Sequence, residues 1–227
     1  MSRLFPFLKM SFFNFDTPIV SKKQSAFSIY DSPGLWRVHW QIKQRVIVST
    51  FYTRHDQACL LWAAVSAAIF LAAQFLSLNW FAQAMMASGL TVLCVVGMVA
   101  LTSHFSAEER LTWVLYGWSG LMLVGTLTTD LSLFLGWGEV LGHLCPLWLG
   151  ISGIGYVITG LGMRSRAFML IAAAHFLTIY ILPHVGMWQP LTTGIVISGC
   201  ALLIAEVQWD ANGVCGYQAP LEADSQA

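Results

Sequence analysis

Two groups of side chains in this sequence could bind a ligand or move a proton, and the first centres on His175. This histidine lies near the middle of a long apolar segment, where an ionisable ring is unusual and costly. It could ligate haem or a metal, relay protons, or contact a bound solute. Alternatively, it is a neutral imidazole bonded to a hydroxyl of a neighbouring helix. Hydroxyl groups of the last three apolar segments could line a polar seam with it: Tyr156, Thr159, Thr192, Thr193 and Ser198.

The second group combines imidazole and carboxylate side chains that the expected topology brings to one end of the molecule. Its members are Asp130, Glu139, His143 and His184. Imidazole and carboxylate suit zinc, copper or iron, and two histidines on adjacent helices could hold a haem. Glu139 and His143 are one helical turn apart if that segment is helical. The alternative is that these are solvated side chains with no cofactor, which is the simpler expectation because no HExxH motif accompanies them.

Motifs of hydrolytic or nucleotide chemistry are missing from the sequence. It contains no G-x-S-x-G and no Walker A pattern, and its five cysteines form no C-x-x-C pair. No Lys, Arg, Asp or Glu lies deep in an apolar segment, which argues against an ion-coupled transporter. We therefore expect no catalytic residue.

The elements that position these groups are long apolar segments. Hydrophobic residues make up 57% of the 227-residue chain and charged residues 10%, with a mean hydropathy of +0.67. Each segment approaches the ~20 residues needed to cross a hydrocarbon core as a helix. The segments are 58–78, 80–102, 111–129, 144–162, 167–187 and 190–207. We predict an all-α integral membrane bundle of antiparallel hairpins in residues 57–208, with an N-terminal arm (1–56) and a short polar tail (209–227).

The orientation of the bundle follows from its basic residues, which favour cytoplasmic loops. With six crossings and a cytoplasmic N-terminus, all eleven Lys and Arg residues fall on one side. Trp80, Trp137 and Trp188 then map to the outer boundary, as expected for interfacial indoles. The sequence predicts a bacterial-type cytoplasmic or internal membrane with both termini in the cytoplasm.

Three local patterns make further predictions. Residues 36–43 alternate between apolar and polar types, which favours a strand of a small hairpin at the membrane surface, with a disordered basic arm as the alternative. Ser106 and Glu109 have the spacing of a capping box before the third segment. The dipeptide Ser-Gly recurs in four segments, at 88, 119, 152 and 198, where we expect small residues at helix contacts.

Three functions are compatible with these patterns. The first is a non-catalytic accessory or assembly subunit of a larger membrane complex, with the lipid bilayer, other membrane subunits or a second copy as partners and no nucleic acid. The second is a carrier or channel for a small solute, with a polar seam around His175. The third is a haem- or metal-binding redox protein. The sequence favours the first, because basic and aromatic residues fill its long arm.

Overall fold

The computed structural model describes residues 12, 13, 15, 17–23, 34–42 and 45–210. Within these ranges the chain is mainly helical, and six of its helices are long and apolar enough to cross a membrane. The helices are α1 (Arg54–Phe75), α2 (Trp80–Glu108), α3 (Thr112–Leu135), α4 (Gly138–Leu141), α5 (Leu144–Gly162), α6 (Arg166–Ile181) and α7 (Gln189–Glu206). Two 3-10 turns, Leu182–His184 and Gly186–Trp188, join α6 to α7. The predicted all-α bundle is confirmed at this level. Of the predicted tail (209–227), residues 209 and 210 are described, and 211–227 lie outside the described residues.

The long helices form a closed arrangement in which the first and last are neighbours. Helix α1 packs against α2 and most extensively against α7, α2 against α3, and α3 against α5. Helices α5, α6 and α7 contact one another. We call the end where α1, α3 and α6 begin the basic end, because Arg54, Arg110 and Arg166 lie there, and the other end the remote end.

In helix α2 the distribution of polar and apolar residues is inverted relative to a water-soluble protein. Helix α2 buries Thr91, Cys94, Thr102 and Ser106 while its apolar residues face outwards. Leu93, for example, is 70% exposed. Apolar surface in water is unfavourable by roughly 25 cal/mol per Å². Six helices of this apolar character are long enough to cross a membrane.

The predicted capping box at Ser106 and Glu109 is wrong. Helix α2 continues through this segment to Glu108, and Leu111 is the N-cap of α3 without a side-chain bond. Exposed His104 and Glu108 lie one turn apart, with Nδ1 of His104 3.3 Å from Oε2 of Glu108, so polar residues continue α2 past its apolar part. The capping box of the bundle is instead at the start of α1, where Thr53 and Asp56 each bond the other's backbone amide.

Glycines make the closest helix contacts, although mostly not those of the Ser-Gly dipeptides. A Cβ at Gly194 of α7 would lie 2.6 Å from Cβ of Phe70 in α1, and one at Gly155 of α5 would lie 2.6 Å from the Trp118 ring of α3. Around Gly89, Gly120 and Gly199 there is open space. Among the glycines of the Ser-Gly pairs, only Gly153 makes a close contact, since its Cβ would lie 3.0 Å from Phe176.

Replacing Gly194 by Ala should lower the free energy of unfolding by about 1–3 kcal/mol, because the new methyl group forces α1 and α7 apart. Gly199→Ala on the same helix is the matched control, since its Cβ meets nothing and Ala favours a helix by roughly 1 kcal/mol. Denaturant titration in mild detergent measures both. Equal destabilisation by the two substitutions would show that the α1–α7 contact is not tight.

Two small antiparallel sheets lie at the basic end. Strand β1 (Val20–Lys22) pairs with β4 (Val207–Trp209), which joins the two ends of the described chain. Strand β2 (Trp36–Ile42) pairs with β3 (Arg45–Tyr52), with a bulge after Trp40. The strand predicted from the alternating pattern is therefore confirmed, and Thr53 connects its hairpin directly to α1.

Candidate functional site

His175 is completely buried in the middle of α6, and its hydrogen bonding defines its tautomer. Its Nδ1 lies 2.8 Å from the carbonyl oxygen of Ile171, one turn earlier. A carbonyl only accepts, so Nδ1 carries the proton and Nε2 of the neutral ring presents a lone pair. Nε2 has no hydrogen-bond partner among the described residues. The backbone of its own helix thus orients the ring. The bond to a hydroxyl of a neighbouring helix, which the sequence offers as an alternative to a ligand site, is not the bond that the structure shows.

The residues predicted to line the seam have four different surroundings. Tyr156 is buried with its ring centroid 5.0 Å from that of His175. Thr159 accepts a 2.8 Å bond from Nε1 of Trp118 and bonds the carbonyl of Gly155, so its hydroxyl is occupied. The hydroxyls of Thr193 and Ser198 are buried and have no partner within the described part of the chain. Thr192 is only partly buried.

Sequence reasoning missed three further polar groups of the bundle interior. The hydroxyls of Ser66 and Ser152 and the indole N–H of Trp62 are buried, and no described residue bonds them. Gly153, next to Ser152, is where α5 approaches His175, since a Cβ there would lie 3.3 Å from Cβ of His175. Ser152 belongs to one of the four Ser-Gly dipeptides. The recurrence of this dipeptide was the sequence feature that could have identified Ser152.

The second predicted group does not assemble into a metal site in the structure. Asp130 of α3 accepts 2.8 and 2.9 Å bonds from the Ser88 hydroxyl of α2. His143 is exposed and its Nδ1 bonds the backbone carbonyl of Glu139, while His184 is exposed at the end of α6. The described part of the chain contains no group of three His, Cys, Asp or Glu side chains that could hold a metal ion.

A buried ion pair lies at the basic end of the bundle. Nζ of Lys23, just after β1, lies 2.7 Å from Oδ2 of Asp56 in α1, with side chains 7% and 5% exposed. Lys23 also donates to the carbonyls of Phe51 and Ala205, so its ammonium bonds β3, α1 and α7 together. Composition showed a basic arm, but nothing in its sequence distinguished Lys23 from the neighbouring Lys22.

A second polar centre at the same end is Asp210, which directly follows β4. Its carboxylate accepts bonds of 2.8–3.0 Å from the Ser165 hydroxyl, the backbone amides of Arg166 and Ala167, and Nε of Arg166. Burial alone would raise the pKa of Asp210, but these bonds outweigh it and hold the pKa below its usual value. Asp210 thereby caps the N-terminus of α6 from a distant part of the sequence.

An exposed apolar stripe lies on the hairpin beside these centres. Alternation along β2 puts Trp36, Val38, Trp40 and Ile42 on one face. They are 59%, 41%, 62% and 51% exposed, respectively. In the adjoining strand Tyr52 donates a 2.7 Å bond to Glu206 of α7. Burial, followed by this bond and the charge of Glu206, raises the pKa of Tyr52 to about 12. The hairpin is therefore fixed to the bundle while its stripe stays uncovered.

These features define the class of the protein: a bundle of six helices able to span a membrane, with polar groups buried in its apolar core and a small β structure at its basic end. No known protein family, no characterised protein and no solved structure shows significant similarity to the chain.

Proposed function

We propose that the bundle crosses a bacterial-type cytoplasmic or internal membrane six times, with the basic end in the cytoplasm. The apolar exterior of its helices supports insertion. The described basic residues all belong to the basic end, which agrees with the preference of Lys and Arg for the cytoplasmic side. Exposed Trp80 and Trp137 at the remote end would then lie in the outer headgroup zone.

In that membrane the protein acts as a non-catalytic accessory or assembly subunit, and the hairpin is its docking element. The observation that carries this proposal is the uncovered apolar stripe of β2. A two-stranded hairpin in water is marginally stable, and no third strand pairs with this one among the described residues. A partner subunit could cover the stripe and add a strand at an open edge, which lipid headgroups cannot do.

Removing the indoles of the stripe should detach this partner. We expect the tagged wild-type chain, extracted in mild detergent, to co-purify with a partner in stoichiometric amount. Trp36→Ser combined with Trp40→Ser should weaken the complex about 30-fold or more, because buried tryptophans dominate interface energetics. Mass spectrometry of the purified material measures the loss.

The matched control is Trp80→Ser combined with Trp137→Ser, which removes two similarly exposed indoles from the remote end. It should leave the complex intact. The proposal fails if the wild-type chain elutes alone or as a homo-oligomer. It also fails if both double variants retain the partner equally, since the stripe would then be a lipid-facing surface.

A further inference from the structure

Buried and partly buried hydroxyls of this bundle follow two different rules. Six of them bond the carbonyl four residues earlier in their own helix, at 2.6–3.0 Å. They are Thr102, Ser119, Thr129, Ser132, Thr159 and Thr178. Four others make no such bond and have no partner in the described chain: Ser66, Ser152, Thr193 and Ser198. The local bond that satisfies those six hydroxyls is thus unused at these four positions.

The four exceptions lie at one depth, together with His175. Counting 1.5 Å per residue from the basic end of each helix, all five residues fall roughly 12–20 Å along it. Their helices also pack together, since α7 contacts α1, α5 and α6, and α5 contacts α6. We call these five residues the layer, because each lies in the middle part of its helix and the helices pack together.

His175 adds a hydrogen-bond acceptor to this layer. Its Nε2 lone pair can only accept a hydrogen bond, whereas each hydroxyl can both donate and accept. Leaving one such buried group unpaired destabilises the fold. Together with the indole N–H of Trp62, six unpaired polar atoms occur in this part of the structure. A shared guest molecule removes that cost at several atoms at once.

We propose that His175, Ser152 and Ser198 hold a small neutral molecule with O–H or N–H groups inside the bundle. No Lys, Arg, Asp or Glu belongs to the layer, so a charged guest would lack a counter-charge. Leu149, Ile197 and Ala201 of the adjoining core are fully buried, so the guest we propose has only a few heavy atoms. Water, urea and short alcohols share this chemistry. The site does not depend on the accessory function.

Nuclear magnetic resonance on the full chain in lipid nanodiscs tests the site. The ring signal of ¹⁵N-labelled His175 is assigned by its loss in His175→Gln. Magnetisation is then transferred from water in one experiment and from added ¹³C-urea or ¹³C-glycerol in another. We expect the ring to receive magnetisation in at least one of them. Transfer from water alone identifies an internal water, and transfer from an added compound identifies a solute site.

Substitutions distinguish a specific binding site from general access of solvent to the His175 ring. Ser152→Ala or Ser198→Ala should reduce the transfer about three- to tenfold, the effect of one lost hydrogen bond. Thr178→Ala is the matched control, since its hydroxyl already bonds Ala174 on the same helix as His175. Absence of transfer in both wild-type experiments overturns the proposal. Equal reduction by all three substitutions overturns it too.

Discussion

Replacing Asp210 with Asn should lower the free energy of unfolding in mild detergent by about 3–5 kcal/mol, the usual cost of breaking a buried charge pair. The carboxylate of Asp210 is almost fully buried and pairs with Arg166, and it also accepts bonds from Ser165 and Ala167. An amide of the same shape removes the charge and turns one acceptor into a donor that faces other donors. Both α6 and the β1–β4 sheet should loosen.

The pH dependence of this contribution has a definite sign. The pKa of Asp210 is lower in the folded protein than its usual 3.8, so the folded state favours the ionised form. The stabilisation is complete above the unfolded pKa and is lost as pH falls through the folded pKa. Between pH 5 and pH 2, roughly, the wild-type melting temperature should therefore fall more steeply than that of Asp210→Asn.

A matched control for this prediction is Asp130→Asn at the remote end. Asp130 is partly buried, and its carboxylate accepts from the Ser88 hydroxyl. We therefore expect Asp130→Asn to lower the free energy of unfolding by at most about 1 kcal/mol. Thermal unfolding across the acidic range measures both variants. Parallel pH profiles for wild type and Asp210→Asn would contradict the role assigned to Asp210.

Replacing Lys23 with Met should be about equally damaging. It leaves the carboxylate of Asp56 buried and without its cation, at a cost of about 3–5 kcal/mol. The carbonyls of Phe51 and Ala205 lose a donor at the same time. Because Lys23 joins the arm to α1 and α7, we also expect limited proteolysis to cut the arm faster in this variant. Lys22→Met, at an exposed neighbouring position, is the control.

A double-mutant cycle isolates the ion pair itself. Asp56→Asn retains an oxygen that can accept from the backbone amide of Thr53, so the capping box of α1 can persist. The double variant Lys23→Met, Asp56→Asn should be clearly more stable than Lys23→Met alone, because no unpaired charge remains buried. Additive losses in the cycle would show that Lys23 and Asp56 do not interact energetically.

The candidate site around His175 was predictable only in part. An ionisable residue in a long apolar segment identified His175, and hydroxyls at similar positions identified Thr193 and Ser198. Ser66 and Ser152 could not be separated from the serines that bond their own helix, because this depends on rotamers and on neighbouring helices. Asp130 and His184 were grouped by topology alone, but the structure gives Asp130 a partner on α2.

By itself, the sequence determined the elements whose cause is local. Long apolar runs specify helices of membrane-spanning length, and an alternating run specifies β2, because 3.6- and two-residue periods are properties of single segments. Only the tertiary structure decided which polar groups meet. Lys23 and Asp56, or Asp210 and the start of α6, are paired because packing brings distant segments together and removes their water. Unpaired charges in that environment are too costly to persist.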